Sequence, residues 1–254
     1  FRKDECGENK WGEVTKITAN GSARSFGYRV AIDGDTAIVG AWADDANGEY
    51  SGSAYVYQRN EGGKDNWGEV VKVTPSDAAS NDYFGDYVAI SGDTAIVGAG
   101  GDDDQGEYTG AAYVFGRNHG GANAWGEVTK ITASDGMAGD WFGRVAISGD
   151  TAIVGSSNDV DFQTWYYGAA YVYRRDEGGV NNWGQVTEIT ASDAAAFDNF
   201  GVSVAISGDT AIVGAPEPGK AYFFRRDEGG AGNWGEVAKL IASDGGAGDL
   251  FGDT

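Results

Sequence analysis

Cysteine occurs once, at Cys6, which excludes an internal disulfide framework. Histidine also occurs once, at His119, and no Cys/His spacing fits a zinc site. Basic residues are few: 18 Lys and Arg stand against 39 Asp and Glu, a formal net charge of −21. That balance repels nucleic acid and anionic lipid and favours cations or basic partners. No apolar run approaches the roughly 20 residues of a membrane-spanning helix, so no membrane insertion is expected in this segment. Proline is nearly absent, with 3 residues, whereas 43 glycines call for many turns. A hydrophobic share of 41% and an aromatic share of 13% argue against disorder. No signal peptide is visible and the chain opens on Phe1, which reads as a processed or excised segment.

What the chain has in abundance is itself. WGEV recurs with small changes at Trp11, Trp67, Trp125, Trp183 and Trp234, and DTAIVG recurs from Asp35, Asp93, Asp150 and Asp209. Phe-Gly pairs begin at Phe26, Phe84, Phe142, Phe200 and Phe251, spaced by 58, 58, 58 and 51 residues. Periods of this length belong to propellers, solenoids and arrays. Each copy reads as four short strands. VAIS (Val88–Ser91) and TAIVG flank Gly92-Asp93, and a glycine at the first central position suits a II′ hairpin turn. AAYVF or AYVY forms a third strand and W-G-E-V-x-K-I a fourth; we label them A, B, C and D. No helical periodicity competes with this pattern.

Four antiparallel strands copied in tandem predict an all-β fold, a β-propeller of four-stranded antiparallel blades. The repeated Trp, Phe and Tyr are expected to pack between blades, where one sheet cannot bury its own face. Complete blades are expected over residues 26–74, 84–132, 142–190 and 200–241. Residues 1–25 form a partial blade and residues 242–254 start another, so the chain reads as a window on a longer array.

The pattern T-A-S-D-x4-D-x-F-G-x-x-V-A-I-S-G-D-T-A-I-V-G-A, followed by G-A-A-Y-V-Y, resembles the FG-GAP repeat, the blade unit of the integrin alpha-chain propeller. Phe200-Gly201 and Gly214-Ala215-Pro216 spell the motif out in the fourth copy. The resemblance implies an extracellular or cell-surface propeller, typically seven-bladed, serving adhesion or ligand binding. Integrin-type blades often carry a D-x-D-x-D-G calcium loop between strands A and B. Here that connection is only Ser-Gly-Asp-Thr, too short to supply six or more oxygens, so that site is not carried over.

In an up-and-down blade the B–C loops and the D–A links share one face. They hold 18 acidic residues against Arg24 as the only clear base, which predicts a strongly acidic loop face. Three readings compete for it. Calcium is one, with Asp45, Asn47 and Glu49, and Asp102, Asp104 and Glu107, as candidate ligands beside a turning glycine. A protein or glycan partner is the second. The third is that the regular aspartates serve only turns and solubility.

The most irregular loop runs over residues 158–167. Asp159, Asp161, Trp165, Tyr166 and Tyr167, with Trp42 as companion, are candidate partner-binding residues. Asn20-Gly21-Ser22 is a glycosylation sequon at Asn20. No carboxylate pair stands out from its repeat equivalents and no nucleophile–base pair is visible, so the chain reads as non-enzymatic. The expected function is an interaction or adhesion module. The alternative is a structural protomer whose split terminal repeats join copies of itself head to tail, in rings or filaments.

Overall fold

The Gly-Asp link sets the first hairpin of every repeat. The computed structural model describes residues 2–3, 7–21, 23–157, 167–217, 219–243 and 250–253. Strands β3 (Val30–Asp33) and β4 (Thr36–Ala41) pair with Asp33 opposite Thr36, leaving a two-residue loop. The same loop in the next repeat places Gly92 at φ +57° and keeps Asp93 out of the left-handed region, as a II′ turn requires. Strands β5 (Ser53–Arg59) and β6 (Trp67–Val73) complete the first sheet in the order A, B, C, D. The second sheet is β7 (Val88–Ser91), β8 (Thr94–Ala99), β9 (Ala111–Arg117) and β10 (Trp125–Ile131). The third is β11 (Arg144–Ser148), β12 (Thr151–Ser156), β13 (Ala169–Arg175) and β14 (Trp183–Ile189). The fourth is β15 (Ser203–Ser207), β16 (Thr210–Ala215), β17 (Lys220–Arg226) and β18 (Trp234–Ile241). A two-stranded ladder of β1 (Arg2–Lys3) and β2 (Trp11–Gly12) precedes them. Among the described residues every strand-to-strand pairing is antiparallel, and there is no helix. The all-β reading in four-stranded blades therefore holds.

The blades meet along their A strands, β3 beside β7, β7 beside β11 and β11 beside β15. Their junctions explain the sequence motifs. The glycine of DTAIVG lies against the glycine of the next Phe-Gly: a Cβ on Gly98 would stand 2.0 Å from the Gly143 carbonyl oxygen. Only a residue without a side chain permits that approach. Beside it, Phe142 forms a parallel bridge to Gly110 of the preceding blade, and its fully buried ring packs edge-on against Tyr171. Three interblade clusters of the same composition follow, with Ile38, Val56 and Val73 of the first blade packed on Phe84, Ile90 and Trp125 of the second.

A second lock uses charge. Arg117 lies 3.0 Å from Asp93 of its own A–B turn, stacks on Trp125 and donates to Thr36 Oγ1 of the preceding blade at 2.5 Å. Arg175 and Arg226 repeat this with Thr94 and Thr151. The glutamate of WGEV also reaches across: Glu127 accepts from Ser76 N–H and Oγ in the preceding link, at 2.8 and 3.0 Å. Motif residues that look like ornaments in one strand are thus fastenings between blades.

These contacts generate a sharp expectation. Gly98→Ala should lose at least about 3 kcal/mol because a backbone carbonyl cannot yield as a side chain can. Gly92→Ala has open space around it and should lose only about 1–2 kcal/mol from its left-handed backbone. Urea unfolding of both variants checks this, and equal losses would remove close approach as the constraint.

Candidate functional site

B–C loops and D–A links do share one face, since Asn81 N–H donates to the Glu49 carbonyl and Gly139 N–H to the Glu107 carbonyl. The expectation that Arg24 is the only base there needs correcting. Strand D ends on this face, and its lysines reach into the acidic loops. Lys130 Nζ lies 2.9 Å from Asp77, 2.7 Å from Asp102 and 2.7 Å from Asp104. Burial works against the lysine charge, but the three carboxylates outweigh it and raise its pKa above the usual value. Tyr113 donates to Asp102 at 2.6 Å and to Asp77 at 2.8 Å. In the first blade Lys72 pairs with Asp44 at 2.7 Å. In the fourth, Lys220 and Lys239 both sit 2.8 Å from Asp193, and their hydrogen bonds hold its carboxyl below the usual range. The third blade carries Glu188 where its neighbours carry lysine.

Asp77, Asp102 and Asp104 offer carboxylate oxygens within 4.8 Å of one another, a group that can hold a metal ion. Lys130 supplies the positive charge at that point, so a metal fits only if the ammonium withdraws. Asp102 and Asp104 thus come together as the motif suggested, with Asp77 as a member the motif did not include. Glu107 stays exposed outside the group. In the first blade Asp45 accepts from Arg24 at 3.2 Å and from Tyr50 N–H at 2.9 Å, while Asn47 N–H donates to Ser51 Oγ. Glu49 is exposed. Asn20 is exposed and its N–H donates to Glu69; Ser22 lies outside the described residues. So do Asp159, Asp161, Trp165 and Tyr166, whereas Tyr167 is 41% exposed at the edge of that loop. The regular aspartates Asp82 and Asp198 are buried and accept from Ala79 and Ala195 N–H. These bonds close the D–A turns, the structural role weighed for them.

Trp42 belongs to a strip of rings crossing three blades. It packs edge-on against Tyr28 and Tyr83 and stacks on Tyr50. Trp141 lies parallel to Tyr83 at 6.2 Å and to Tyr108 at 4.9 Å. Tyr50, Tyr83, Tyr108 and Trp141 all have φ between 54° and 57°, a backbone region bulky residues seldom take. Tyr83, Trp141 and Tyr108 stack face to face, whereas Trp42 meets Tyr28 and Tyr83 edge-on and the Tyr50 hydroxyl accepts from Arg24 Nη2. The Trp42 indole N–H is buried with no acceptor.

Sequence reasoning missed the groove along the A strands. Between each Phe-Gly and the following V-A-I the copies differ: Tyr28-Arg29, Asp86-Tyr87, Arg144 alone and Val202-Ser203. That departure within near-identical flanks was the available signal. Arg29 and Arg144 both approach the Tyr87 ring, at 4.8 and 5.6 Å. Asp86 Oδ1 is sealed from solvent without a hydrogen bond, and burial pushes its carboxyl up to about 7 against the opposing pull of Arg144 and Arg29. A carboxyl that titrates near neutrality is a group able to move a proton.

Two outcomes follow. Asp86 holds its proton to about pH 7 when folded but, with an ordinary value of 3.8, only to about pH 4 when unfolded. The fold therefore binds the extra proton between those values, and the Asp86 contribution to stability falls as pH rises through them. Asp86→Asn should melt about 2–4 °C above wild type at pH 8, with the difference gone by pH 4; an equal or lower Tm at pH 8 would refute the assignment. Lys130→Met leaves three converging carboxylates without their cation and should cost about 2 kcal/mol or more. Its Tm should rise with added calcium by more than that of wild type. A variant as stable as wild type would show the cage to be unimportant.

Comparison with known proteins places this geometry. No curated protein sequence matches the chain. Among solved structures it is similar to a periplasmic gluconolactonase of Pseudomonas aeruginosa, PpgL, with a TM-score of 0.60 and 14% identity over 96% of this chain and 64% of that one. A protein from Lactobacillus plantarum follows, with a TM-score of 0.54 and 14% identity over 89% of this chain and 60% of that one. The chain spans less than two thirds of each. The non-enzymatic reading is corrected here: the first of these folds belongs to an enzyme, so this architecture supports catalysis and gives no ground for excluding it. At this identity the likeness concerns the fold alone. The FG-GAP repeat family matches residues 11–57, 67–115, 125–173 and 183–231, each match opening on the repeated tryptophan and so straddling two sheets. The chain belongs to the FG-GAP repeat family and has the blade architecture of a β-propeller.

Proposed function

We propose that this chain is an extracellular or cell-surface interaction module that takes a basic protein partner on its loop face. The observation that carries this reading is a division among the acids. Asp44, Asp102 and Asp193 are neutralised by lysines, whereas Glu49, Asp103 and Glu107 are exposed with no ion pair among the described residues. Glu49 and Glu107 directly precede Tyr50 and Tyr108 of the aromatic strip, and exposed carboxylates beside aromatic rings suit lysine and arginine side chains. A glycan would need open ring faces, and here the faces are spent on one another. Calcium belongs to this reading as a competitor for the same exposed carboxylates. FG-GAP membership favours the extracellular setting, and among the described residues no helix is long and apolar enough to cross a membrane.

An oligolysine peptide serves as the probe. It should bind at low salt, weaken steeply as salt rises, and bind at least about tenfold more weakly to a Glu49→Gln, Asp103→Asn, Glu107→Gln variant. Binding that survives the triple change would refute this face.

A second reading, head-to-tail assembly of copies, has its own observation. Ile32 is 65% exposed and Leu240 45%, although their repeat equivalents Ile90 and Ile131 are buried within blade junctions. The faces that carry Ile32 and Leu240 are thus the two complementary halves of a blade junction. Light scattering over a concentration series should reveal association that Ile32→Glu abolishes; a monomer at every concentration would refute it.

A further inference from the structure

The groove pairs guanidinium groups that form no ion pair among the described residues with a largely apolar cleft. Arg29 and Tyr87 immediately precede β3 and β7, and Arg144 and Ser203 open β11 and β15, all at the loop-face end of the inner strands. Arg29 Nη2 donates to the Tyr87 hydroxyl at 3.4 Å, and Arg144 Nη1 donates to the Trp141 carbonyl at 2.9 Å. Tyr87 lies against both cations, which orders them before any ligand arrives. The Nε of each is buried without a hydrogen-bond partner. Arg117 and Arg175 also lack an aligned bond at Nε, but each has an aspartate 3.0 Å away. Among the described residues neither Arg29 nor Arg144 has a carboxylate within ion-pair distance. Asp86 interacts with both electrostatically but is turned onto the backbone beside Gly98 and Gly100, and Asp253 also lines the cleft.

These side chains open onto a cleft of about 710 Å³ whose further wall includes Val204, Ile212 and Phe251. That volume lies within the range of small-molecule sites, which combine apolar walls with a few placed polar groups. Guanidinium forks match the two oxygens of a carboxylate better than any other side chain does.

We propose that this groove binds a small organic carboxylate, its anionic head between Arg29 and Arg144 and its apolar body along the wall of the fourth blade. The site is separate from the loop-face surface assigned to a basic protein, and the two fail independently. Acidic loops around the groove add selectivity: they repel polyanions and leave the arginines to a compact, singly charged head. The alternative is that the arginines merely pack on Tyr87.

Isothermal titration of the 254-residue chain with octanoate and with neutral octanamide separates these. Octanoate should bind, with octanamide at least about tenfold weaker, a loss expected when a charge-assisted pair is removed. Arg29→Ala and Arg144→Ala should each weaken octanoate about tenfold while leaving octanamide unchanged, with Arg59→Ala as the control that changes neither. No octanoate binding, equal binding of both probes, or equal weakening by the control would overturn the proposal. The comparison of the two probes on wild type needs no variant to fold.

Discussion

The approach of one backbone to another at each blade junction is the constraint on which the rest depends. Gly40, Gly98, Gly155 and Gly214 lie so close to the following Phe-Gly that no side chain fits between them. This contact sets the spacing of neighbouring sheets, and the spacing sets everything built across it. Arg117 can reach Thr36, and Glu127 can reach Ser76, only because the sheets are held at that separation. Phe84, Phe142 and Phe200 fill the remaining volume completely. The family motif is therefore a description of a joint.

Charge is distributed by the same geometry. The net charge of −21 suggests uniform repulsion, but the fold spends much of it locally. Strand D carries its lysine to the loop face at the depth where the B–C aspartate is buried, so Asp44 and Asp102 become structural anchors. Tyrosine hydroxyls from strand C complete the same cages. What remains for recognition is the smaller set of carboxylates that no lysine reaches. The opposite happens in the groove, where among the described residues two arginines have no carboxylate within ion-pair distance and burial pushes the Asp86 carboxyl up to about 7. Such a distribution, an acidic exterior around a partly cationic interior, is compatible with binding and with chemistry alike. It sits comfortably with a fold shared by an enzyme.

The aromatic strip shows why composition misleads about function. Tyr28, Trp42, Tyr83 and Trp141 look like scattered exposed rings, available for a partner. In space they contact one another across blade boundaries, although Tyr28 stays 55% exposed. Tyr83 and Trp141 take left-handed backbone conformations within this packing, a local cost offset by tying three blades together.

By itself the sequence determined the blade: strand order, the II′ turn at Gly92-Asp93, the period, and the identity of the core residues such as Phe84 and Tyr113. These depend on local spacing and on patterns copied four times, and such patterns survive in one dimension. It also pointed to the shared face of the B–C loops and D–A links, which follows from strand alternation alone. Tertiary structure decided which charges were free. Lys130 lies 53 residues from Asp77 in sequence, yet the two touch, and nothing local to either announces the pairing. Arg29, Tyr87 and Arg144 likewise come from three different repeats, each looking like a small lapse in its own copy. Their convergence arises because every repeat delivers the same position to the same groove, so variation along the chain becomes composition in a single site.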